Sequence, residues 1–254
     1  MSHETACQPK DGRGMLTLYQ FPISHYCEKV RWALEYKHID YRAVNLLPGF
    51  HVSKTTQLAR HSFVPILQAA DQVIQGSSEI ITYLDAQYPE PGLTPPGPQA
   101  EEALNWERYV DDELGPHVRR CCYQILLDYP DIVIGLFTHR GPFYAKPLLK
   151  LIFPKLKTKM KALMDINAET ALQSERQIDR VVNRLIDRLQ TRSYLAGSQF
   201  TRADLAAAAL IAPLRMPEKY GVTWPEKVPA QFLQFMDKFS SRTDWVDELY
   251  RQYR

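Results

Sequence analysis

The sequence has few cysteines and no long apolar run, and both absences exclude classes of protein. Its 254 residues contain 4 cysteines, and these lack the spacing of a metal-ligand set. Cys121 and Cys122 are adjacent, so a disulfide between them would be strained. We therefore expect a reducing compartment, the cytoplasm, and no structural metal. No stretch reaches the roughly 20 apolar residues that a membrane-spanning helix needs.

The chain also lacks a strong excess of either charge. Its 31 Lys and Arg against 29 Asp and Glu give a formal net charge of +2, which provides no basis for nucleic-acid binding. Hydrophobic residues make up 45% of the chain and charged residues 24%, the balance of a soluble globular protein. Residues 1–14 are polar and lack the apolar core of a signal peptide, so we expect a disordered tail there.

Residues 15–34, MLTLYQFPISHYCEKVRWAL, predict a buried strand, a short loop and a helix. Apolar residues alternate from Leu16, and Pro22 ends the strand because proline has no backbone N–H to donate. Apolar residues recur at helical spacing from Cys27 onward. Ser24 thus precedes the helix, where unpaired N–H groups and the helix dipole favour an oxygen or an anion. Its hydroxyl would cap the helix or hold the negative charge of a ligand.

The pattern up to residue 88 predicts a small α/β domain. Strand, helix, hairpin and helix signals follow the first helix, at 40–46, 52–60, 66–68 with 72–74, and from Ser77 onward. Residues 77–79, SSE, predict a side-chain cap at the start of that last helix. Pro65 interrupts a strand-like run and argues against a central strand unless the preceding peptide bond is unusual.

The remainder of the chain predicts a linker and then helices only. Residues 89–98 hold five prolines and two glycines, which is typical of a domain linker. We therefore predict domains at 15–88 and 99–254. Helical periodicity is found at 101–128, 168–190 and 245–253. Thr201 with Asp204 predicts a capping box before an apolar helix that must be buried.

Two stretches resemble the cytosolic glutathione transferases. Ser24-His25-Tyr26-Cys27 stands where the related glutaredoxins have C-x-x-C, with Ser in place of the attacking Cys. Residues 194–214, YLAGSQFTRADLAAAALIAPL, resemble the corresponding cap and buried helix of these transferases. The resemblance implies a thioredoxin-like α/β domain followed by an all-α domain. It also implies glutathione as co-substrate, a homodimer and a role in detoxification.

The resemblance further implies roles for single residues around the thiol of glutathione. Ser24 would hold and activate the sulfur. The backbone of Val64 would pair with the cysteinyl part, and a cis peptide bond to Pro65 would keep that backbone exposed. His51 lies near where some family members hold the glycyl carboxylate. Alternatively, His51 is an exposed polar residue with no role in binding.

The γ-glutamyl end would be held at the start of the helix after the hairpin. In the family an acid or Gln precedes a Ser or Thr there, and the hydroxyl matches Ser77, followed by Ser78. The preceding position is Gly76, a departure from the pattern. Glu79 or Gln75 is expected to take its place.

Other residues near Ser24 have two interpretations each. Cys27 is either a buried small hydrophobe or a reactive thiol in monothiol exchange. His25 is a solvent-facing loop residue or tunes the pKa of the sulfur. Tyr19 and Tyr26 either pack or donate to a thiolate.

Residues 132–164 contain no Asp or Glu but seven basic residues, namely Arg140, Lys146, Lys150, Lys155, Lys157, Lys159 and Lys161. We interpret this segment as an ordered helical cap of the substrate cleft whose lysines are solvated. The alternative is a basic amphipathic segment that contacts an anionic membrane.

These observations lead to one main functional hypothesis and two alternatives. The main hypothesis is conjugation of glutathione to a small apolar electrophile, held between the Ser24 loop and aromatic residues such as Tyr109, Tyr123 or Phe143. The first alternative is a related ligand-binding or membrane-docking protein with little catalysis. The second is glutathione-dependent thiol exchange at Cys27.

Overall fold

The computed structural model describes residues 15–254. The predicted disordered tail, 1–14, lies outside the described residues. The described chain forms an α/β unit followed by an all-helical unit, which confirms the predicted fold class.

The α/β unit is built on a four-stranded mixed sheet with strand order β2-β1-β3-β4. Its strands are β1 (Leu16–Gln20), β2 (Tyr41–Asn45), β3 (Ile66–Ala69) and β4 (Gln72–Gln75). β1 runs parallel to β2 and antiparallel to β3. In the second pair Tyr19 lies opposite Ile66. The end of β1 and the beginning of β3 therefore lie at the same edge of the sheet.

Three helices complete this unit: α1 (His25–Tyr36), α2 (His51–Leu58) and α3 (Ser77–Gln87). The apolar side chains that α1 and α3 bury include Val30, Trp32, Ala33, Leu34, Ile80, Ile81 and Leu84, all fully buried. Each buried aliphatic residue of Val, Leu or Ile size contributes roughly 1.5–3 kcal/mol. The sequence prediction that Ser77-Ser78-Glu79 caps α3 was wrong. The N-cap is Gly76 with φ +105°, and no side chain caps this helix.

The second unit contains eight helices among the described residues. They are α4 (Pro98–Glu113), α5 (Gly115–Leu126), α6 (Pro130–Phe137), α7 (Ala145–Leu163), α8 (Ala168–Leu189), α9 (Arg202–Ile211), α10 (Ala230–Ser240) and α11 (Trp245–Tyr253). Every residue of α9 is buried, and Thr201 and Asp204 form the predicted capping box at its start. α9 is thus the central helix of this unit, packed against α1 and α4. Between α3 and α4, residues 88–97 form turns and bends.

The single long helix predicted at 101–128 was wrong, because the chain breaks between α4 and α5. Pro116 has no N–H to continue the helical ladder. Gly115 also lies so close to α1 that a Cβ atom there would be 2.2 Å from the Tyr26 hydroxyl oxygen. That hydroxyl donates to the carbonyl of Asp111 at 2.6 Å. The break therefore lets the second unit approach the Ser24 loop.

A buried network of charges joins the two units. Lys29 of α1 is fully buried, and its Nζ lies 2.6 Å from Asp111 Oδ2 and 3.0 Å from Glu107 Oε1, both of α4. Arg202 of α9 pairs with Glu107 from the other side. Because these charges are out of water, their pairing fixes how α1 sits on the helical unit.

Residues 132–164 form α6, α7 and the loop between them. Their buried side chains pack into the helical unit and include Val133, Phe137, Leu149, Phe153 and Met160. Phe143 and Leu151 are exceptions to the cap interpretation, since they are 94% and 80% exposed and face away from the core. Within the described part of the chain, none of the helices combines the length and apolar character needed to cross a bilayer. Contact with a membrane surface stays a prediction.

Candidate active site

Ser24 lies at the end of the loop between β1 and α1 and is the N-cap of α1. Its Oγ accepts the N–H of Cys27 at 3.3 Å. A hydroxyl has one proton to donate as well as lone pairs to accept with. The proton of Ser24 therefore stays available while the oxygen caps the helix, and the two interpretations of this residue are compatible.

The Ser24 loop is held in place by hydrogen bonds to its backbone carbonyls. Arg31 donates from Nη2 to the carbonyl of Pro22 at 3.0 Å, and the Tyr220 hydroxyl donates to that of Ile23 at 2.7 Å. Arg31 is itself buried and paired with Glu28. The sequence did not predict either anchor, since Arg31 is one of many basic residues and Tyr220 is distant in the chain.

The loop before β3 lies beside the Ser24 loop at the same edge of the sheet. The Val64–Pro65 peptide bond is cis, as the resemblance implied. The carbonyl of Pro65 accepts the N–H of Gly76 at 3.1 Å, which ties the start of α3 to this loop. The fold thus brings together Ser24, Val64 and the N-terminus of α3.

Glu79 fills the space that a side chain at position 76 would occupy. A Cβ atom on Gly76 would lie 2.2 Å from Glu79 Oε2. Gln75 points elsewhere, because its amide bonds the backbone of His61 and Phe63 at 2.8–3.1 Å. Of the two expected substitutes for an acid at 76, Glu79 is therefore the one that places a carboxylate there.

Ser77 and Ser78 have different surroundings. The Ser78 hydroxyl donates to Asp111 Oδ2 at 2.9 Å, so it connects α3 to α4. The Ser77 side chain is buried and makes no hydrogen bond to another residue in 15–254. Of the two hydroxyls, that of Ser77 is the one free to meet a ligand at the N-terminus of α3.

A largely apolar cleft of about 540 Å³ opens beside Ser24 between the two units. Ser24, His51 and Val64 lie on its first-unit wall. The aromatic and sulfur-containing side chains of the opposite wall are Cys122, Tyr123, Phe137, Met160, Met164, Met216, Trp224 and Phe232. Of the three aromatic residues expected here, only Tyr123 lines the cleft. Tyr109 instead packs under Arg184, whose guanidinium carbon lies 4.2 Å from the ring centre, and Phe143 faces solvent.

His51 is half-buried on the cleft wall as the first residue of α2. Its Nδ1 accepts the N–H of Gly49 at 3.1 Å, and its ring packs edge-on against Phe21 at 4.9 Å. Burial lowers the pKa of His51, so the ring is neutral at pH 7. It borders the cleft and is not simply an exposed polar residue.

Cys27 has no solvent exposure, and burial raises the pKa of its thiol. A buried, protonated thiol is a poor nucleophile, so the geometry favours the core interpretation. The tyrosines are also occupied, since Tyr26 bonds the Asp111 carbonyl and Tyr19 donates to Gln68 Oε1 at 3.0 Å. Of Ser24, Tyr19 and Tyr26, Ser24 is thus the residue whose hydroxyl proton is available to a ligand in the cleft.

The family comparisons agree with this geometry over both units. The glutathione S-transferase N-terminal domain matches residues 18–92, and the glutathione S-transferase C-terminal domain matches residues 142–250. The chain belongs to the glutathione S-transferase family.

Curated members of this family match over part of their length. Glutathione S-transferase 1 of Dianthus caryophyllus is 38% identical over 95 residues, covering 36% of this chain and 42% of the relative. Glutathione S-transferase Z2 of Arabidopsis thaliana is 36% identical over 118 residues, covering 44% of this chain and 52% of the relative. The matches thus span about half of these relatives.

Solved structures extend the likeness to the whole fold. The beta-etherase LigF from Sphingobium sp. strain SYK-6 aligns with a TM-score of 0.59 and 20% identity, covering 92% of this chain and 99% of that one. The glutathione transferase URE2P5 from Phanerochaete chrysosporium aligns with a TM-score of 0.63 and 16% identity, covering 94% and 91%. At these identities the likeness establishes the architecture of this glutathione S-transferase family member.

His25 was predicted to face solvent, and this was wrong. Its side chain is only 4% exposed and lines the floor of the cleft next to Ser24. Burial, helped by the cations of Arg119 and Lys29, lowers the pKa of His25 to about 3. The imidazole in this glutathione S-transferase family member is therefore neutral at pH 7.

Proposed function

We propose that this protein conjugates the thiol of glutathione to a small electrophile, and that Ser24 stabilises the thiolate. The observation that carries the proposal is the position of the Ser24 hydroxyl. It lies at the N-terminus of α1, and Ser24 and Val64 both line the apolar cleft.

The chemistry requires an ionised sulfur, because the thiolate is the nucleophile. A hydroxyl donor and the positive end of a helix dipole both favour the charged sulfur over the thiol. Each unit by which the thiol pKa falls requires about 1.4 kcal/mol of such differential stabilisation. The sulfur then attacks an electrophilic carbon, a C–S bond forms, and the leaving group departs with its electron pair.

The rest of glutathione would bind along the first unit. The backbone of Val64, exposed by Pro65, would pair with the cysteinyl residue. The N-terminus of α3 and the Ser77 hydroxyl would receive the γ-glutamyl carboxylate, and Glu79 would receive its amino group. Ser78 would act indirectly through its bond to Asp111.

The glycyl carboxylate would lie near His51, on the opposite side of the Ser24 loop.

Family members pair two subunits, and we propose a homodimer here as well. Light scattering at micromolar concentration tests this, and a monomer would contradict it.

The test combines retention on immobilised glutathione with turnover of chlorodinitrobenzene. We expect the wild type to be retained and to release chloride. Ser24→Ala should keep binding but lose roughly 10- to 100-fold in turnover, the effect of one hydrogen bond to a charged group. It should also raise the pKa seen in the pH–rate profile. Cys27→Ala is the matched control and should stay near wild-type turnover.

The opposite results would separate the alternatives. Retention without turnover would favour a ligand-binding protein over an enzyme. Wild-type turnover in Ser24→Ala would mean that Ser24 only caps α1. A loss of turnover in folded Cys27→Ala would favour thiol exchange.

A further inference from the structure

Two polar side chains at the floor of the cleft lack protein partners. His25 Nε2 and Arg119 Nε are both buried, and neither has a hydrogen-bond partner among residues 15–254. Within the same residues, no carboxylate oxygen lies within 4.0 Å of the Arg119 guanidinium, which makes no salt bridge there. Buried polar atoms are normally paired, so an unpaired histidine nitrogen and an unpaired arginine Nε on the same cleft need a reason.

Arg119 and His25 lie together on the side of Ser24 that faces α5. Both line the cleft with Tyr26 and Tyr123, and the Arg119 charge is among the causes that keep His25 neutral. A neutral imidazole carries one N–H and one bare nitrogen. The pair therefore offers a fixed positive charge next to a second polar group.

The cleft lining formed by residues 15–254 holds no residue that could neutralise this charge. Its described lining includes no Asp or Glu, and Arg119 and Lys159 are its two Lys or Arg residues. Arg119 is half-buried, and its Nε is cut off from water without a partner, which is costly for a polar atom. The cost is offset when a ligand supplies an anion, and the planar guanidinium fork matches the two oxygens of a carboxylate.

We propose that the electrophile carries an acid group, such as a carboxylate, and that Arg119 binds it while the apolar walls hold the remainder. This inference rests on the proposed conjugation and narrows its substrate class. The carboxylates of glutathione have other places, at the N-terminus of α3 and near His51. Arg119 belongs to α5, on the second-unit wall, where the electrophile lies.

The test uses a pair of electrophiles that differ only in the acid group, a chloronitrobenzoate and its methyl ester. In both, the glutathione thiolate attacks the ring carbon that bears chlorine. The C–S bond forms, the C–Cl bond breaks, chloride leaves with the bonding pair, and the thiol proton goes to buffer. The ratio of kcat/KM for acid and ester removes the difference in intrinsic reactivity.

Three variants are compared with the wild type. Arg119→Gln should lower kcat/KM for the benzoate by about 10- to 100-fold, the range for hydrogen bonds to a charged group. It should leave the ester and the KM for glutathione within about twofold of wild type, because neither uses this charge. Arg119→Lys should recover part of the loss. Lys159→Gln, which removes the other cation of the cleft, should leave the acid-to-ester ratio unchanged.

A binding measurement separates this proposal from the proposed function. Calorimetry is performed with the preformed S-aryl glutathione conjugate of the benzoate and with that of the ester. Arg119→Gln should weaken only the first by a similar factor, even if the wild type turns over neither electrophile. An absence of turnover with both electrophiles, together with this selective loss of affinity, would contradict conjugation and leave the subsite supported.

Three results would overturn the subsite. The first is an unchanged acid-to-ester ratio together with unchanged affinity for the carboxylated conjugate. The second is an equal loss for acid and ester. The third is a rise in the KM for glutathione that accounts for the whole effect, which would place Arg119 in the glutathione site. Circular dichroism and thermal unfolding of both Arg119 variants show whether the fold is intact.

Discussion

Glu79 supplies the carboxylate that position 76 lacks, since that position is occupied by glycine. Gly76 has φ +105°, a conformation that glycine adopts without cost. Its missing side chain leaves room for the Glu79 carboxylate, which lies where a Cβ atom at 76 would be. The carboxylate thus reaches the N-terminus of α3 from within the helix.

We expect Glu79→Gln to raise the KM for glutathione by about 10-fold, since it removes a charged acceptor for the γ-glutamyl amine. The value of kcat should change by less than about twofold, because this contact is the same in the ground and transition states. Initial rates at varied glutathione measure both constants. Glu101→Gln, at an exposed position of α4, is the control. An unchanged KM in Glu79→Gln would assign the amine to another group.

His25 makes stability depend on pH. Burial lowers its pKa to about 3 in the folded protein, against about 6.5 in the unfolded chain. Between these values the unfolded state binds a proton that the folded state excludes. Stability is therefore fully present above pH 6.5 and falls as the pH drops, with a limiting slope of about 1.4 kcal/mol per unit.

His25→Gln should remove this dependence. From pH 7 to pH 4.5 we expect the wild type to lose about 2.5 kcal/mol more in free energy of unfolding than the variant. Urea unfolding at several pH values measures the difference. His61→Gln, which removes an exposed imidazole, should retain the wild-type slope. Parallel curves for wild type and His25→Gln would mean that His25 takes up a proton in the folded state.

At the scale of elements, helix starts that depend on side chains nearby in the sequence could be predicted. The α1 start at Ser24 and the Thr201–Asp204 capping box follow from side chains within three positions of the helix end. The break at Gly115 could not be found this way. The apolar period continues through it, and the cause is Tyr26, which lies far away in the chain but close in the fold.

The same limit applies to the candidate site. A family pattern marks Ser24, Val64 and Ser77 along the chain, and their roles toward glutathione stay predictions. Arg119 and Tyr220 could not be predicted, since they reach the Ser24 region only through the packing of the helical unit on the sheet. The solvent-facing prediction for His25 failed for that reason, because α4 and α5 cover a loop that looks exposed in sequence.

The close approach at Gly115 predicts the effect of adding one methyl group. In Gly115→Ala the new Cβ would displace the Tyr26 hydroxyl and press on Leu210. We expect a loss of about 1–3 kcal/mol in free energy of unfolding, the range for overpacking a tight contact. Gly135→Ala in α6 is the control, since nothing lies within 4 Å of its Cβ position. It should be neutral or stabilising by up to about 1 kcal/mol. Equal stabilities in urea would contradict the tight contact.

At the scale of the whole molecule, the charge network of Lys29 joins the sheet unit to the helical unit. Burial alone would lower the pKa of Lys29, but Asp111 and Glu107 outweigh it and raise that pKa. The ammonium therefore stays charged inside the protein. Asp111 also accepts from Ser78 and, through its carbonyl, from Tyr26. One residue of α4 thus contacts α1 at two positions and α3 at a third.

Removing Lys29 should destabilise both units together. In Lys29→Met, Glu107 keeps Arg202 as a partner, whereas Asp111 is left largely buried without a cation. We expect a cost of about 3–5 kcal/mol, the range for breaking a buried ion pair by removing one partner. Adding Asp111→Asn should recover part of this loss, because the unpaired charge is then gone, and the double-mutant cycle measures the coupling.

Urea unfolding followed separately at tryptophan fluorescence and far-UV circular dichroism measures these effects. All proteins in this series carry Trp106→Phe, Trp224→Phe and Trp245→Phe, so that of the four tryptophans of the sequence only Trp32 is left to report on α1, whereas circular dichroism is dominated by the helical unit. If the network couples the units, both signals should shift to lower urea by the same amount in Lys29→Met. A shift of the fluorescence signal alone would mean that the sheet unit unfolds independently. A cost below about 1 kcal/mol would place the pair in the class of solvent-screened salt bridges and contradict its role in joining the units.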